Sequence, residues 1–96
     1  MDSRTRYTVE LSLPRTGWAD LQEAATRARQ ATDEMRREGE QVRFLRSIFV
    51  PEDDTCFFLY EAPSAQSVRA AAMRAELGVL RVDEAMRLDF EGGEPS

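Results

Sequence analysis

A chain of 96 residues, 42% hydrophobic and 32% charged, is too apolar to be disordered and predicts a single domain, with an ordered core over residues 5–89 and a flexible tail over 90–96. The net charge of −5 and the scattered arginines argue against nucleic-acid binding. No apolar run approaches the ~20 residues that cross a bilayer, the one cysteine cannot form an internal disulfide, and the start lacks the apolar segment of a secretory signal, so we expect a cytoplasmic protein that does not bind membranes.

The first predicted element is a strand over residues 5–13, because polar and apolar side chains alternate there with a period of two. One side is apolar and carries Tyr7, Val9, Leu11 and Leu13. The other side is polar and carries Arg6, Thr8, Glu10 and Ser12. This strand therefore presents one polar face to whatever lies against it.

A helix is predicted next, since apolar residues recur at three- and four-residue spacing from Trp18 to Met35. Thr16 or Gly17 can cap its start, and the pair Asp20 and Glu23 offers an alternative start as a capping box. Gly39 is the residue expected just after its end.

A hairpin is predicted over residues 41–62, with two strand-like runs joined by the turn sequence PEDD. Its strands do not alternate cleanly. In the first strand, strict alternation places Val42, Phe44, Ile48 and Val50 on one side and Leu45 and Phe49 on the other. In the second strand, Phe58 and Tyr60 lie on one side and Phe57 and Leu59 on the other. Both sides of the hairpin are therefore apolar.

Ser64 can cap a second helix that Gly78 is expected to close, and a last strand is predicted over residues 81–88. The resulting order, βαββαβ, predicts an α+β ferredoxin-like fold with a four-stranded antiparallel sheet and two helices on one face.

The second face of this sheet is expected to need a cover. Two helices can cover only one side, and the hairpin leaves Leu45, Phe49 and one pair of residues near Phe57 and Phe58 on the other. Leaving these apolar side chains in water would lose a few kcal/mol, out of the ~5–15 kcal/mol that is the free energy of unfolding of a typical domain. A homodimer through the sheet face, forming a dimeric α+β barrel, is the simplest cover.

Three segments carry a resemblance to a known family: YTVELSLP near the start, VRFLRSIFVPEDDTCFFLYEAPSAQSVRAAA in the middle and VDEAMRL near the end. Together they resemble the small bacterial, actinobacterial-type nickel-binding-protein-like domains of unknown function, the 4242 series, over residues 7–88. The resemblance implies a ferredoxin-like domain that dimerises through its sheets, with nickel binding in members that carry histidines.

The nickel-binding property does not transfer to this chain, which has no histidine and a single cysteine, Cys56. Imidazole is the natural ligand of Ni²⁺ and thiolate its usual alternative. We therefore assign no metal-binding residue and no cofactor, and nickel is disfavoured. The acidic turn Glu52, Asp53 and Asp54 lacks the further ligands of a calcium loop and is interpreted as a solvated turn.

The candidate ligand-binding residues are those whose polar groups are expected near the apolar second face: Thr8, Glu10, Arg46, Ser47, Tyr60 and Glu84. Glu10 is either a general acid or base occluded by a partner sheet, or one half of an ion pair with Arg46 or Arg43. Arg46 either anchors a carboxylate or phenolate, or pairs with Glu10, Glu61 or Glu84.

Other candidate groups have simpler interpretations. One of the neighbours Arg46 and Ser47 must point inward, and Glu84 and Asp83 must point to opposite faces, because adjacent strand residues alternate. Tyr60 is either a proton donor or core filler, and Cys56 is interpreted as a small buried apolar residue.

The sequence is compatible with two functions, which belong to different classes of protein. The first is a homodimeric binding protein that holds a small ligand, or less readily a metal such as nickel, between its sheets. The second is a cofactor-free enzyme of the dimeric α+β barrel type, an isomerase, cyclase or monooxygenase acting on an aromatic or polyketide-like substrate with Glu10, Arg46 and Tyr60. This second function rests on analogy between folds.

Overall fold

A four-stranded antiparallel sheet with two helices forms the computed structural model, which describes residues 5–12, 18–53 and 55–85. In chain order the elements are β1 (Thr5–Ser12), α1 (Trp18–Arg37), β2 (Arg43–Val50), a short 3-10 turn (Pro51–Asp53), β3 (Thr55–Ala62), α2 (Ala65–Arg74) and β4 (Val79–Ala85). The strands lie in the order β2-β3-β1-β4. Both βαβ connections therefore span a neighbouring strand, and the predicted ferredoxin-like fold is confirmed.

The predicted caps of two helix ends are confirmed. Gly39 has φ +100°, and the amide of Glu40 donates to the carbonyl of Met35 at 2.9 Å, which closes α1 in the left-handed turn that glycine favours. Ser64 caps the start of α2, where its hydroxyl accepts a hydrogen bond from the amide of Ser67 at 3.2 Å. Both signals are local in sequence, which is why they could be recognised there.

The end of α2 differs from the prediction. Gly78 does not close the helix, which ends at Arg74 and turns through Glu76 with φ 59°. The amide of Leu77 then donates to the carbonyl of Ala72 at 3.1 Å, and the side chain of Leu77 packs against the core. A left-handed non-glycine residue costs roughly 1–2 kcal/mol, so packing of Leu77 sets the end of this helix. As a consequence β4 begins at Val79 rather than at residue 81.

Several other predicted boundaries lie outside the described residues. They are the caps Thr16 and Gly17, the end of the last strand at residue 88 and the tail from residue 90. The alternative start of α1 at Asp20 is wrong, because the helix already begins at Trp18.

The core lies between the sheet and the two helices. It contains Tyr7, Val9 and Leu11 from β1, Cys56, Phe58, Tyr60 and Ala62 from β3, Phe44 from β2, and Leu21, Ala24, Ala28, Met35, Val68 and Ala71 from the helices. The ring of Phe44 meets the rings of Phe58 and Tyr60 edge to face, with centroids 5.1 and 5.6 Å apart. Both helices therefore pack on one face of the sheet and leave the other face uncovered.

Arg74 links the two helices through hydrogen bonds and ion pairs. Its guanidinium donates to Glu38 at 2.9 Å and lies 3.5 Å from Glu34, so α2 is tied to the end of α1. The hydrogen bond from Arg74 lowers the pKa of Glu38 below its usual value. None of the described helices is long and apolar enough to span a membrane.

Candidate functional site

The sheet face away from the helices is the candidate site. Residues that pair directly across strands point to the same face, so the registers define this open face. It carries Arg43, Arg46, Ile48 and Val50 from β2, Thr55, Phe57, Leu59 and Glu61 from β3, Arg6, Thr8 and Glu10 from β1, and Arg81, Asp83 and Ala85 from β4. The alternation of half-buried and buried residues along β3 follows the same division.

A β-bulge in β2 changes which hydrophobic residues reach the open face. Phe44 pairs with Tyr60 and Arg46 with Leu59, so Leu45 is an extra residue in the ladder. Beyond it every side chain has moved to the opposite face. Phe49 therefore lies on the helix side, opposite Cys56, and its predicted place on the uncovered face is wrong. Ile48 and Val50 take that place, opposite Phe57 and Thr55.

The half of the open face formed by β2 and β3 contains an apolar patch of Ile48, Phe57 and Leu59, with Arg43, Arg46 and Glu61 at one end. Phe57 and Leu59 lie in a central strand and are half-buried by their neighbours alone, while 43% of Ile48 remains exposed. On the helix side of the sheet most large hydrophobic residues are buried in the core, but 38% of Phe49 is exposed, and 60% of Leu80 is exposed at the register shift of β4. This patch is the apolar surface that the open face leaves uncovered.

The half formed by β1 and β4 is charged. Arg81 lies opposite Glu10, with its Nε 3.9 Å from that carboxylate and 2.7 Å from the carboxylate of Asp83. The hydrogen bond that Arg81 donates to Asp83, helped by the charges of Asp83 and Glu10, raises the pKa of Arg81. The open face thus places an apolar patch beside a group of two carboxylates and one guanidinium.

The six predicted site residues divide between the two faces. Thr8, Glu10 and Arg46 share the open face, whereas Ser47, Tyr60 and Glu84 lie on the helix side, opposite Phe58, Phe44 and Tyr7 respectively. Ser47 and Glu84 are nevertheless exposed, because they lie on the two edge strands. The three residues proposed for an enzyme, Glu10, Arg46 and Tyr60, therefore do not surround one substrate.

The predicted ion pairs of Glu10 and Arg46 also differ from those observed. Glu10 contacts Arg81 rather than Arg43 or Arg46, because β4 is its direct neighbour and β2 lies two strands away. Within the described residues Arg46 has no acidic partner, so its predicted pairing with Glu10, Glu61 or Glu84 is not formed in one chain. The predicted opposition of Asp83 and Glu84 is confirmed.

Tyr60 is fully buried, and among the described groups its hydroxyl has no hydrogen-bond partner. Burial raises the pKa of this phenol far above its ordinary value, so it stays protonated. An orphan buried hydroxyl costs about 1–3 kcal/mol. The position therefore fits the core-filler interpretation, at some expense in stability.

Replacing Tyr60 with phenylalanine is accordingly expected to raise the free energy of unfolding by about 1–2 kcal/mol, since it removes an unsatisfied group and leaves the ring in place. Urea denaturation followed by circular dichroism measures this. Tyr7→Phe is the control, because Tyr7 lies directly across from Tyr60 in β1 with 9% of its surface exposed. A loss of stability in Tyr60→Phe, with Tyr7→Phe unchanged, would mean that the hydroxyl of Tyr60 has a bound partner.

The remaining candidate metal ligands that the structure describes do not lie together. Cys56 is buried on the helix side, where desolvation raises the pKa of its thiol, as expected of a small apolar residue. Glu52 and Asp53 are exposed in the 3-10 turn, and Asp54 lies outside the described residues. Across residues 5–12, 18–53 and 55–85, no three His, Cys, Asp or Glu side chains are grouped to hold a metal ion.

Sequence reasoning missed Arg81 and Asp83 as members of the charged group. Their spacing of two along a strand is visible in the sequence and places both on one face. The register that brings Arg81 opposite Glu10 is interrupted at Leu80 and depends on how β4 docks against β1. That register has no local signal.

Comparison with known proteins agrees with the fold. Residues 7–84 match the model of a family described as nickel responsive protein SCO4226-like. The crystal structure of SCO4226 from Streptomyces coelicolor A3(2) superimposes with a TM-score of 0.71 at 20% identity, covering 88% of this chain and 99% of that one. No curated protein matches the sequence. At this identity the structural likeness shows the fold alone.

Proposed function

The chain belongs to the nickel-responsive SCO4226-like family, and we propose that it is a small binding protein that holds a ligand on the open face, between two copies of itself. The apolar half of that face is the observation that supports this proposal. Phe57, Leu59 and Ile48 form a contiguous patch that neither helix covers. At about 25 cal/mol per Å², covering such a patch supplies free energy for association or ligand binding.

A second copy of the chain is the proposed cover. Two such faces can pack sheet on sheet, with side chains from the two sheets meeting at a spacing of about 10 Å. A two-fold dimer uses the same patch from each copy and therefore covers both at once. The charged half around Glu10 and Arg81 then keeps part of the seam polar and accessible to a polar ligand.

The proposed ligand has an apolar body and an anionic group. Its body packs on Phe57 and Leu59, and its carboxylate or phenolate accepts hydrogen bonds from Arg46, which lies directly opposite Leu59. Thr8, across from Leu59 on β1, adds a hydroxyl to the same row of the sheet. Leu59 lies between the other two side chains, each one strand spacing away from it.

Nickel does not fit this surface. The whole sequence lacks histidine, and its one thiol, Cys56, is buried on the far side of the sheet. The charged groups of the open face are carboxylates and guanidinium groups, whereas Ni²⁺ prefers imidazole and thiolate ligands. We therefore propose that this member of the family recognises an organic anion rather than holding nickel through its own side chains.

Native mass spectrometry of protein purified without added metal tests the proposal. We expect a dimer that carries a small organic molecule or takes one up from a panel of aromatic acids, with Arg46→Gln weakening uptake about tenfold through loss of a charged hydrogen bond. Calorimetric titration with NiCl₂ is expected to show no stoichiometric uptake. Glu84→Gln serves as the control, because that residue lies on the other face.

Two results would contradict the proposal. A monomer at all concentrations would remove the second copy, and stoichiometric nickel binding by the wild-type chain would replace the organic anion with the metal.

A further inference from the structure

Glu10 is a half-buried carboxylate at the border of the apolar patch. It lies directly across from Phe57 on one side and from Arg81 on the other, and 27% of its side chain is exposed. The Nε of Arg81 is 3.9 Å from this carboxylate and donates its hydrogen to Asp83 instead, at 2.7 Å. Among the residues that the structure describes, none donates a hydrogen bond to Glu10.

The other carboxylates of the open face have cationic groups close to them. Asp83 already accepts a short hydrogen bond. Glu61 lies 3.9 Å from Arg6 and directly across from Arg43. A donor that reaches this face from outside the chain therefore meets its most available acceptor at Glu10.

Covering the apolar patch makes a donor for Glu10 necessary. A ligand or partner sheet that packs on Phe57 also removes water from the neighbouring carboxylate. Burying a carboxylate that accepts no hydrogen bond is strongly unfavourable. A ligand that binds through its apolar body and Arg46 alone leaves Glu10 in that condition, whereas one that also carries a donor satisfies the carboxylate as it covers it.

The positions of Arg46 and Glu10 set the distance between the two polar groups of such a ligand. Arg46 lies across from Leu59 and Glu10 across from Phe57, with β3 between them. Two strand spacings and one pair of residues along a strand separate their Cα atoms by about 12 Å. Because strand side chains stand roughly perpendicular to the sheet, a hydrogen bond of about 2.8 Å at each end leaves about 6–7 Å for the ligand. An aromatic ring substituted at opposite positions has this length.

We infer that the ligand of the open face is an aromatic acid with a hydroxyl group at the far end of its ring, which binds Arg46 through the carboxylate and donates to Glu10 through the hydroxyl. This inference rests on the proposed function and adds the donor that the ligand carries. A neutral hydroxyl fits better than an ammonium group, because the guanidinium of Arg81, 3.9 Å from Glu10, repels a second cation. Hydrogen bonds to an ionised acceptor are also the strong ones.

A matched set of acids tests this inference. We expect the wild-type chain to bind para-hydroxyphenylacetate about tenfold more tightly than phenylacetate, because only the first donates to Glu10. The methoxy analogue, para-methoxyphenylacetate, extends the ring at the same position without a donor and is expected to bind no more tightly than phenylacetate. Titrations followed by amide NMR spectra measure the three dissociation constants.

Two variants separate the hydroxyl from the carboxylate. Glu10→Gln keeps the shape of the acceptor and removes its charge, so the preference for the hydroxy acid is expected to fall below about threefold. Arg46→Gln is expected to weaken both acids by a similar factor and to keep their ratio, because it acts on the carboxylate that both share.

Glu84→Gln is the matched control for Glu10→Gln. It makes the same chemical change at an exposed residue of β4 that points to the helix side. Its preference for the hydroxy acid is expected to stay within about twofold of wild type, since distant exposed charges are screened by salt.

The outcomes distinguish this inference from the function on which it rests. Equal binding of the hydroxy acid and phenylacetate, with both weakened by Arg46→Gln, overturns the hydroxyl and leaves the organic anion in place. Tight binding of the methoxy acid, or a preference that survives Glu10→Gln, overturns the inference in the same way. A wild-type chain that binds neither acid overturns the proposed function and this inference with it.

Discussion

Replacing Phe58 with alanine is expected to lower the free energy of unfolding by about 3–5 kcal/mol, a large part of the ~5–15 kcal/mol of a typical domain. Phe58 is fully buried in the central strand β3, on the helix side of the sheet, and its ring meets that of Phe44 edge to face. Truncation leaves a cavity that β3, held between β1 and β2, cannot close. Equilibrium denaturation with guanidinium chloride measures the loss.

The neighbouring residue provides a matched control. Phe57→Ala makes the same chemical change one position earlier, on the open face. For a protein stabilised by association, the apparent stability depends on protein concentration. The loss in Phe57→Ala is therefore expected to shrink on dilution, whereas the loss in Phe58→Ala stays constant. If the two variants lost equal stability at the lowest concentration, the division of the sheet into a covered and an open face would be wrong.

Replacing Leu59 with glutamate is expected to raise the dimer dissociation constant about 10–100-fold, because even a carboxylate paired with Arg46 across the strands must be desolvated, and a buried ion pair in place of an apolar contact costs about 1–4 kcal/mol. In the separated chain the same carboxylate remains hydrated, since Leu59 lies on the open face. Circular dichroism should therefore show a folded monomer. Sedimentation velocity over a hundredfold range of concentration follows the association, and ligand uptake is expected to be lost with it.

Met73→Glu is the control for this change. It also converts a hydrophobic residue to an acid, at a position on α2 where 78% of the residue is exposed. We expect less than about a threefold change in the dissociation constant, because the charge stays in water far from the open face. A Leu59→Glu protein that still dimerises like wild type would exclude the open face as the interface.

The order of the elements could be predicted from sequence because its signals are local. The alternation from Tyr7 to Leu11 indicates a strand without reference to any other part of the chain, and the cap at Ser64 acts within one turn of its helix. The left-handed turn at Gly39 is likewise favoured by the residue itself. Once these elements were placed, the rules of chain connection left the ferredoxin-like arrangement as the natural one.

The composition of the site could not be predicted as well, because it depends on which residues face each other across strands. The sequence offers several arginines as partners of Glu10. The pairing of β4 with β1 brings Arg81 directly opposite it. The sequence predicts that Arg46 and Ser47 point to opposite faces. The bulge at Leu45 determines that Arg46 is the one that shares a face with Glu10. A single extra residue in a ladder exchanges the faces of all that follow, and the broken alternation around Leu45 shows an irregularity without fixing which residue is the extra one.

The sequence by itself thus determined that this chain builds one sheet with two helices, carries more apolar side chains than two helices can cover, and has no histidine for a metal. Only the tertiary structure decided that the uncovered surface consists of Ile48, Phe57 and Leu59 beside the charges of Glu10, Arg81 and Asp83. The physical reason is that strand and helix signals come from neighbours along the chain. Faces, registers and ion pairs come from contacts between segments that packing brings together.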